Sequence, residues 1–250
     1  MSTRWVPVSI DLVKPQTSIK LYYGIAMKRA WILPLLACIW GCKPEEARRQ
    51  PPPSAAAAAP PARAADNRPA IVCFGDSLTA GFGVDPGGSY PDLVQRALDQ
   101  HGYHYRVVNL GESGDTSQDG LDRIALVTAE KPQLVIVEFG ANDGLRGQPV
   151  SNTEKNLAQM IELLQQAGAR VVLAGITLPP NYGPDYIRRF TAIYPELASR
   201  HKVPLIPFLL EGAAGKSDLM QQDGLHPNAA GTQLVAANVL RVIEPLLTRE

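Results

Sequence analysis

Leu134-Val135-Ile136-Val137-Glu138-Phe139 is a short, nearly continuous apolar run, with Pro132 just before it and Gly140 just after. A run of this length without alternation reads as a strand buried on both faces, as in a parallel sheet covered by helices. Outward toward the N-terminus, Leu121 to Glu130 has helical spacing and stops before Pro132. Tyr105 to Leu110 reads as a second strand, and Pro91 to His101 as a helix that Gly102 ends. Ala70-Ile71-Val72-Cys73-Phe74 is another unbroken apolar run and the first strand. Outward toward the C-terminus, Ser151-x-x-Glu154 has the form of a capping box, opening a long helix that Gly168 closes. Val171-Val172-Leu173-Ala174 makes a fourth strand. Tyr186 to Arg200 is helical, with Pro195 expected to kink or split it. Val203 to Phe208 carries a short fifth strand, whose prolines put it near the sheet edge. Ala229 to Leu247 is the final helix, with Pro245 near its end. This alternation predicts an α/β fold: a central five-stranded parallel sheet with helices on both faces.

These segments fill residues 69–250, one ordinary domain large enough to bury a substantial core. The chain is 45% hydrophobic and 19% charged with a formal net charge of zero, so no concentrated basic face is available for a nucleic acid. Of three cysteines only Cys73 belongs to this domain. It sits in an apolar run, reads as an inert buried thiol, and has no partner for an internal disulfide or a zinc site.

The N-terminal quarter reads as an address. Met27-Lys28-Arg29 supplies positive charge, and Ala30 to Gly41 supplies a short apolar core, too short for a comfortable membrane span. Residues 27–42 are therefore expected to be a secretory signal. Cys38 after Ala37 and Cys42 after Gly41 both have the form of a lipobox cysteine. Cys42 leaves the longer apolar core and is preferred, with a simple cleaved signal and incidental cysteines as the alternative. The expectation is export to the periplasm, with membrane contact only through such an anchor. Residues 1–26 fit neither pattern, and Met27 makes the better translation start. Residues 43–68, rich in Pro and Ala, read as a semi-extended tether.

Ligands of open α/β sheets bind beyond the carboxyl ends of the strands. Four segments fall there or just before the last helix: Gly75-Asp76-Ser77-Leu78, Gly111 to Thr116, Gly140-Ala141-Asn142-Asp143 and Asp223-Gly224-Leu225-His226. A serine hydroxyl is a weak nucleophile until a neighbouring base takes its proton. His226 supplies such a base for Ser77, because imidazole titrates near physiological pH. Asp223, three residues earlier, is close enough in a turn to hold the other ring nitrogen and fix the tautomer. Charge developing on a carbonyl oxygen needs preorganised donors. The backbone N–H groups of Ser77 and Gly114 and the side-chain amide of Asn142 provide three. Singly these signals are weak: Asp-x-x-His arises often by chance, and a serine or asparagine in a glycine-rich turn is usually structural. Their order along the chain, each at the same edge of the sheet, carries the reading.

With those motifs quoted, the sequence resembles the SGNH hydrolases of the GDSL type, whose four letters fall on Ser77, Gly114, Asn142 and His226, over residues 70–247. Ser113-Gly114-Asp115-Thr116-Ser117, Gly140 to Arg146 and Asp223 to Asn228 look most like the bacterial periplasmic branch of acyl-CoA thioesterases, lysophospholipases and arylesterases. So does Leu178-Pro179-Pro180-Asn181-Tyr182-Gly183, which in that branch lies on a mobile loop beside the acyl chain. Ala141 departs from it where some relatives have a second glycine. The resemblance implies a flavodoxin-like three-layer sandwich and no metal or other cofactor. It also implies a monomer acting on a small acyl ester or thioester, with Leu178, Pro179, Pro180 and Tyr182 at the substrate.

Competing readings are weaker. Gly81-Phe82-Gly83 with Gly87 imitates a dinucleotide loop, but the third glycine falls late and the acidic partner is missing. Gly212 to Ser217 imitates a phosphate loop, with Leu210 where its first glycine should stand. The Gly-x-Ser-x-Gly elbow of other serine hydrolases is absent. A tethered acyl-binding protein would show a broken triad. A carbohydrate deacetylase would not need the apolar Leu178-Pro179-Pro180.

Overall fold

The structure is a computed structural model that describes residues 66–249. The segments read as an early gene start (1–26), a signal with its two cysteines (27–42) and most of the tether (43–65) lie outside the described residues. So does Glu250. In chain order the elements are β1 (Ala70–Gly75), α1 (Ser77–Ala80), α2 (Tyr90–Gln100), β2 (Arg106–Gly111), α3 (Ser117–Asp122), α4 (Ile124–Ala129) and β3 (Leu134–Glu138). They continue with α5 (Ala141–Leu145), α6 (Val150–Gln166), β4 (Arg170–Ala174), α7 (Pro184–His201), β5 (Leu205–Ile206) and α8 (Ala229–Ile243).

All five strands pair in parallel, in the order β2-β1-β3-β4-β5. That is the doubly wound, flavodoxin-like arrangement, and its strand order reverses between β1 and β3. Right-handed crossovers carry α2 over one face of the sheet; after the reversal they carry α3 to α7 over the other. The helix α8 returns to pack on α2, while α6 packs on both α3 and α7. The continuous apolar runs are explained by this double cover: every residue of β1 and β3 is buried, Glu138 included. Phe74 and Phe139 meet edge-on at 4.8 Å, and Cys73 is fully buried, its thiol pushed up to about 12 by desolvation. β5 is two residues long and lies at the edge, as its prolines required.

Several local expectations are corrected. Ser151-x-x-Glu154 does not cap α6. That helix begins one residue earlier at Val150, behind Pro149, with no side-chain cap, and Glu154 instead accepts from Arg200 at 2.8 Å. The working capping boxes are Ser89 with Asp92 and Thr116 with Asp119, opening α2 and α3. The helix expected over Leu121 to Glu130 is two short helices that part at Arg123 (φ −106°, ψ 15°). Pro195 does not split α7, which continues through it to His201. The last helix closes at Ile243 and passes into a 3-10 turn, Glu244–Leu246, around Pro245.

Candidate active site

The switch point between β1 and β3 is where the chemistry gathers. After Gly75 the chain turns at once into α1. Asp76 caps that helix, its Oδ1 accepting from the Leu78 N–H at 3.1 Å. Ser77 is therefore the first helical residue, half-buried, above the carboxyl end of β1.

The facing loop runs from Met220 to Asn228, stapled by a bridge between Met220 and Pro227 and ended by Asn228, which caps α8. Within it, Asp223 Oδ1 accepts from the backbone N–H groups of Leu225 (2.9 Å) and His226 (3.0 Å), a side-chain turn that fixes both ends of the Asp-x-x-His motif. Asp223 Oδ2 accepts from His226 Nδ1 at 2.6 Å. With Nδ1 donating, Nε2 is left to accept, and the Ser77 hydroxyl lies 2.8 Å from it. Burial of the Asp223 carboxyl raises its pKa, but the hydrogen bonds from the His226 ring and the two backbone N–H groups outweigh this. The net result is a carboxylate held below its ordinary range.

The three expected oxyanion donors come from three loops. Gly114 has φ +93°, a conformation that favours glycine, and its carbonyl accepts from Arg146 Nη2 at 2.8 Å. Asn142 sits in the first turn of α5. Its amide donates to the Asp115 carbonyl at 2.9 Å and, over a longer 3.3 Å, to Asp76 Oδ2. Two ties thus join the Gly114 loop to α5. Behind them the buried Asp143 locks the frame: its carboxylate accepts from the Ser117 N–H (2.8 Å), the Ser117 hydroxyl (2.5 Å) and the Thr153 hydroxyl (3.1 Å). Removing one member of such a network would leave buried polar atoms unpaired.

Of the four expected substrate contacts, Leu178 is only 5% exposed and packs against Gly144 on α5. Pro179 is half-buried and Pro180 exposed, and the Tyr182 hydroxyl donates to the Leu145 carbonyl at 2.8 Å. The segment thus docks on the helix that carries Asn142.

Three residues at the site escaped the sequence reading. Phe82, 50% exposed, has its ring 4.6 Å from the His226 imidazole. By sequence its turn shows only the imitation of a dinucleotide loop. Gln221 donates from Nε2 to the carbonyls of Phe82 (2.7 Å) and Pro227 (3.0 Å), stitching the Phe82 turn to the histidine loop. Glu138 is fully buried at the end of β3, directly across the register from Gly75. A charged residue at the end of an apolar strand was the available signal.

Residues 73–234 match the GDSL-like Lipase/Acylhydrolase family. The chain belongs to that family. This GDSL hydrolase is 46% identical to the protein named Esterase TesA of Pseudomonas aeruginosa, over 71% of this chain and 89% of that one. It is 40% identical to the Thioesterase 1/protease 1/lysophospholipase L1 of Escherichia coli, over 76% of this chain and 88% of the other. Among solved structures it superimposes on a crystal structure of TesA with a TM-score of 0.69 at 45% identity, covering 71% of this chain and 99% of that one. The GDSL hydrolase is an ester-hydrolysing enzyme of α/β architecture built on a five-stranded parallel sheet.

Proposed function

We propose that this GDSL hydrolase cleaves carboxylic esters of acyl chains through a covalent acyl-enzyme, with Ser77 as nucleophile, His226 as proton carrier and Asp223 as the group that orients it. The observation that carries the reading is the continuous line from the Asp223 carboxylate through both ring nitrogens of His226 to the Ser77 hydroxyl, at 2.6 and 2.8 Å. Ser77 Oγ attacks the carbonyl carbon as its proton passes to Nε2. The oxyanion is held by the N–H groups of Ser77 and Gly114 and by the Asn142 amide, for which the carbonyl oxygen takes over the long 3.3 Å contact to Asp76. Collapse breaks the bond to the leaving oxygen or sulfur, which receives the proton from Nε2. Water, deprotonated by the same nitrogen, then releases the acid and restores Ser77.

The name of the Escherichia coli relative extends the substrate class to thioesters and lysophospholipids. The apolar segment Leu178 to Tyr182 favours an acyl chain, with Pro179, Pro180 and Tyr182 on its exposed side and Leu178 as the buried support. The N-terminal address supports an exported enzyme, tethered through Cys42 or Cys38. A fluorophosphonate probe tests the mechanism. It should label Ser77, and Ser77→Ala should lose both labelling and turnover of a short p-nitrophenyl ester while keeping its circular dichroism. Turnover surviving in that variant would remove the mechanism. Profiling acyl length, esters against thioesters, then fixes the preference.

A further inference from the structure

Behind the Ser77 turn lies a second pair of acidic groups that the hydrolytic scheme leaves unused. Glu138 is 0% exposed, and so is Asp76. The register pairs Glu138 with Gly75, and a Cβ on Gly75 would collide with the Glu138 carboxyl and with Thr79 Oγ1, so the glycine is what lets the carboxyl in.

The donors around it divide its two oxygens. Glu138 Oε2 accepts from the Asp76 backbone N–H at 3.2 Å and from Thr79 Oγ1 at 2.8 Å. Thr79 spends its proton there, so the Tyr90 hydroxyl, 3.0 Å away, donates to Thr79. Glu138 Oε1 is equally buried and no donor reaches it. An ionised carboxylate with one oxygen buried and unmatched is costly, whereas a carboxylic acid needs only one accepting oxygen and offers a hydroxyl from the other. The Asp76 carboxyl belongs to the residue whose N–H donates to Oε2, is itself fully buried, and accepts from the Leu78 N–H and the Asn142 amide.

Among the described residues, no lysine or arginine pairs with either carboxylate. The titratable groups facing the two are Tyr90 from α2, Tyr194 from α7 and, through Asp76, His226. Cys73 lies beside Tyr90 on β1. The Arg123 guanidinium at the same sheet end is taken by the Asp115 carboxylate and by the carbonyls of Leu110 and Gly75.

We propose that Glu138 is a positioning residue, held as a neutral carboxylic acid behind the nucleophile turn, whose hydroxyl donates to Asp76 and thereby fixes both the Ser77 helix and the Asn142 amide. Two like charges in one desolvated site cannot both be ionised, so the pair keeps one proton. Burial acts in the same direction on each member, driving Glu138 well above the ordinary carboxyl range and Asp76 to about 6. Around neutral pH the proton therefore rests on Glu138.

This role presupposes the esterase reading, but its test does not depend on turnover. Infrared difference spectra between wild type and Glu138→Gln at pH 8 should show the carbonyl stretch of one protonated carboxylic acid, present in the wild type and gone in the variant. Glu138→Gln, a neutral isostere that can accept through Oε1 and donate through Nε2, should keep kcat within a few-fold. Glu138→Leu, which leaves the Asp76 N–H and the Thr79 hydroxyl unmatched, should lower kcat at least tenfold with KM little changed. No protonated-acid band at pH 8 overturns the proposal whether or not the leucine variant folds. A glutamine variant as inactive as the leucine variant overturns it too. A wild type that shows the band but fails to react with a fluorophosphonate would instead sink the esterase reading and leave the buried acid standing.

Discussion

The imidazole of His226 meets the hydroxyl of Ser77 at 2.8 Å although the two residues stand 149 positions apart in the chain, and a single side chain, Asp223, decides which of its nitrogens faces the serine. With Nδ1 donating to the carboxylate, only Nε2 can receive the serine proton. Asp223→Asn would keep the shape but present an amide that can donate to Nδ1, inverting the tautomer. The expected loss in kcat is on the order of 10^4-fold, as for the equivalent change in other serine triads. Stopped assays on a p-nitrophenyl ester would check it, and a loss below tenfold would mean the ring is oriented by something else. Because Asp223 sits below its unfolded value of 3.8, its stabilisation is complete above that value and disappears only as pH falls through the lowered folded one. Loss of activity between pH 5 and 7 therefore has to come from another group than Asp223.

In the proposed mechanism Asn142 is the one side-chain donor to the oxyanion. Asn142→Ala should raise the barrier by about 3 kcal/mol, chiefly in kcat, as for other side-chain oxyanion donors. The same change removes its tie to the Asp115 carbonyl, so a control is needed for the Gly114 loop. Arg146→Ala, which frees only the Gly114 carbonyl, should cost less. An unchanged kcat in Asn142→Ala would take the amide out of the hole.

Gly75→Ala tests how tightly the nucleophile turn sits on Glu138. The added methyl would overlap the Glu138 carboxyl, its backbone carbonyl and Thr79 Oγ1, all in a fully buried corner. Overpacking of this kind costs roughly 1–3 kcal/mol. Since relief requires α1 to move, kcat should fall along with Tm in thermal melts. A variant of wild-type stability and activity would mean that this corner is loosely packed.

Much of this was legible because the long apolar runs at residues 70–74, 134–139 and 171–174 have only one plausible burial, and the four site motifs each follow a strand or precede the last helix. What escaped depends on contacts made only after folding. The real caps at Ser89 and Thr116 use Asp rather than Glu at the third helical position, which the Ser/Thr-x-x-Glu template passes over. Arg123 stands at the break between α3 and α4, and its guanidinium donates to the carbonyls of Leu110 and Gly75, 13 and 48 positions earlier in the chain. Phe82 gains meaning only from His226, and Gln221 only from the two loops it joins.

Phe82 is the exposed aromatic that borders the base, its ring tilted 41° to the imidazole. An exposed ring there offers apolar surface to whichever part of the ester passes His226, and burying such surface contributes roughly 25 cal/mol per Å². Phe82→Ala should therefore lower kcat/KM several-fold for esters of bulky apolar alcohols and less for methyl esters. Equal losses across the series would mean that the ring serves only to brace His226.

The buried acid leaves a thermodynamic trace as well. In the folded protein Glu138 keeps its proton far above 4.5, the value at which the unfolded chain releases it, so unfolding at neutral pH expels a proton. Its contribution to stability is then greatest at or below pH 4.5 and declines as pH rises, by about 1.4 kcal/mol per unit, until the folded pKa is reached. Asp76 acts with the same sign, but only between 3.8 and about 6, so the interval from pH 6 to 8 belongs to Glu138. Glutamine does not titrate. Denaturation of wild type and Glu138→Gln across that interval should give curves that diverge with rising pH, the variant gaining on the wild type at each step. Parallel curves would mean that Glu138 is ionised in the folded state, and that Asp76 is held by something other than a neighbour's proton.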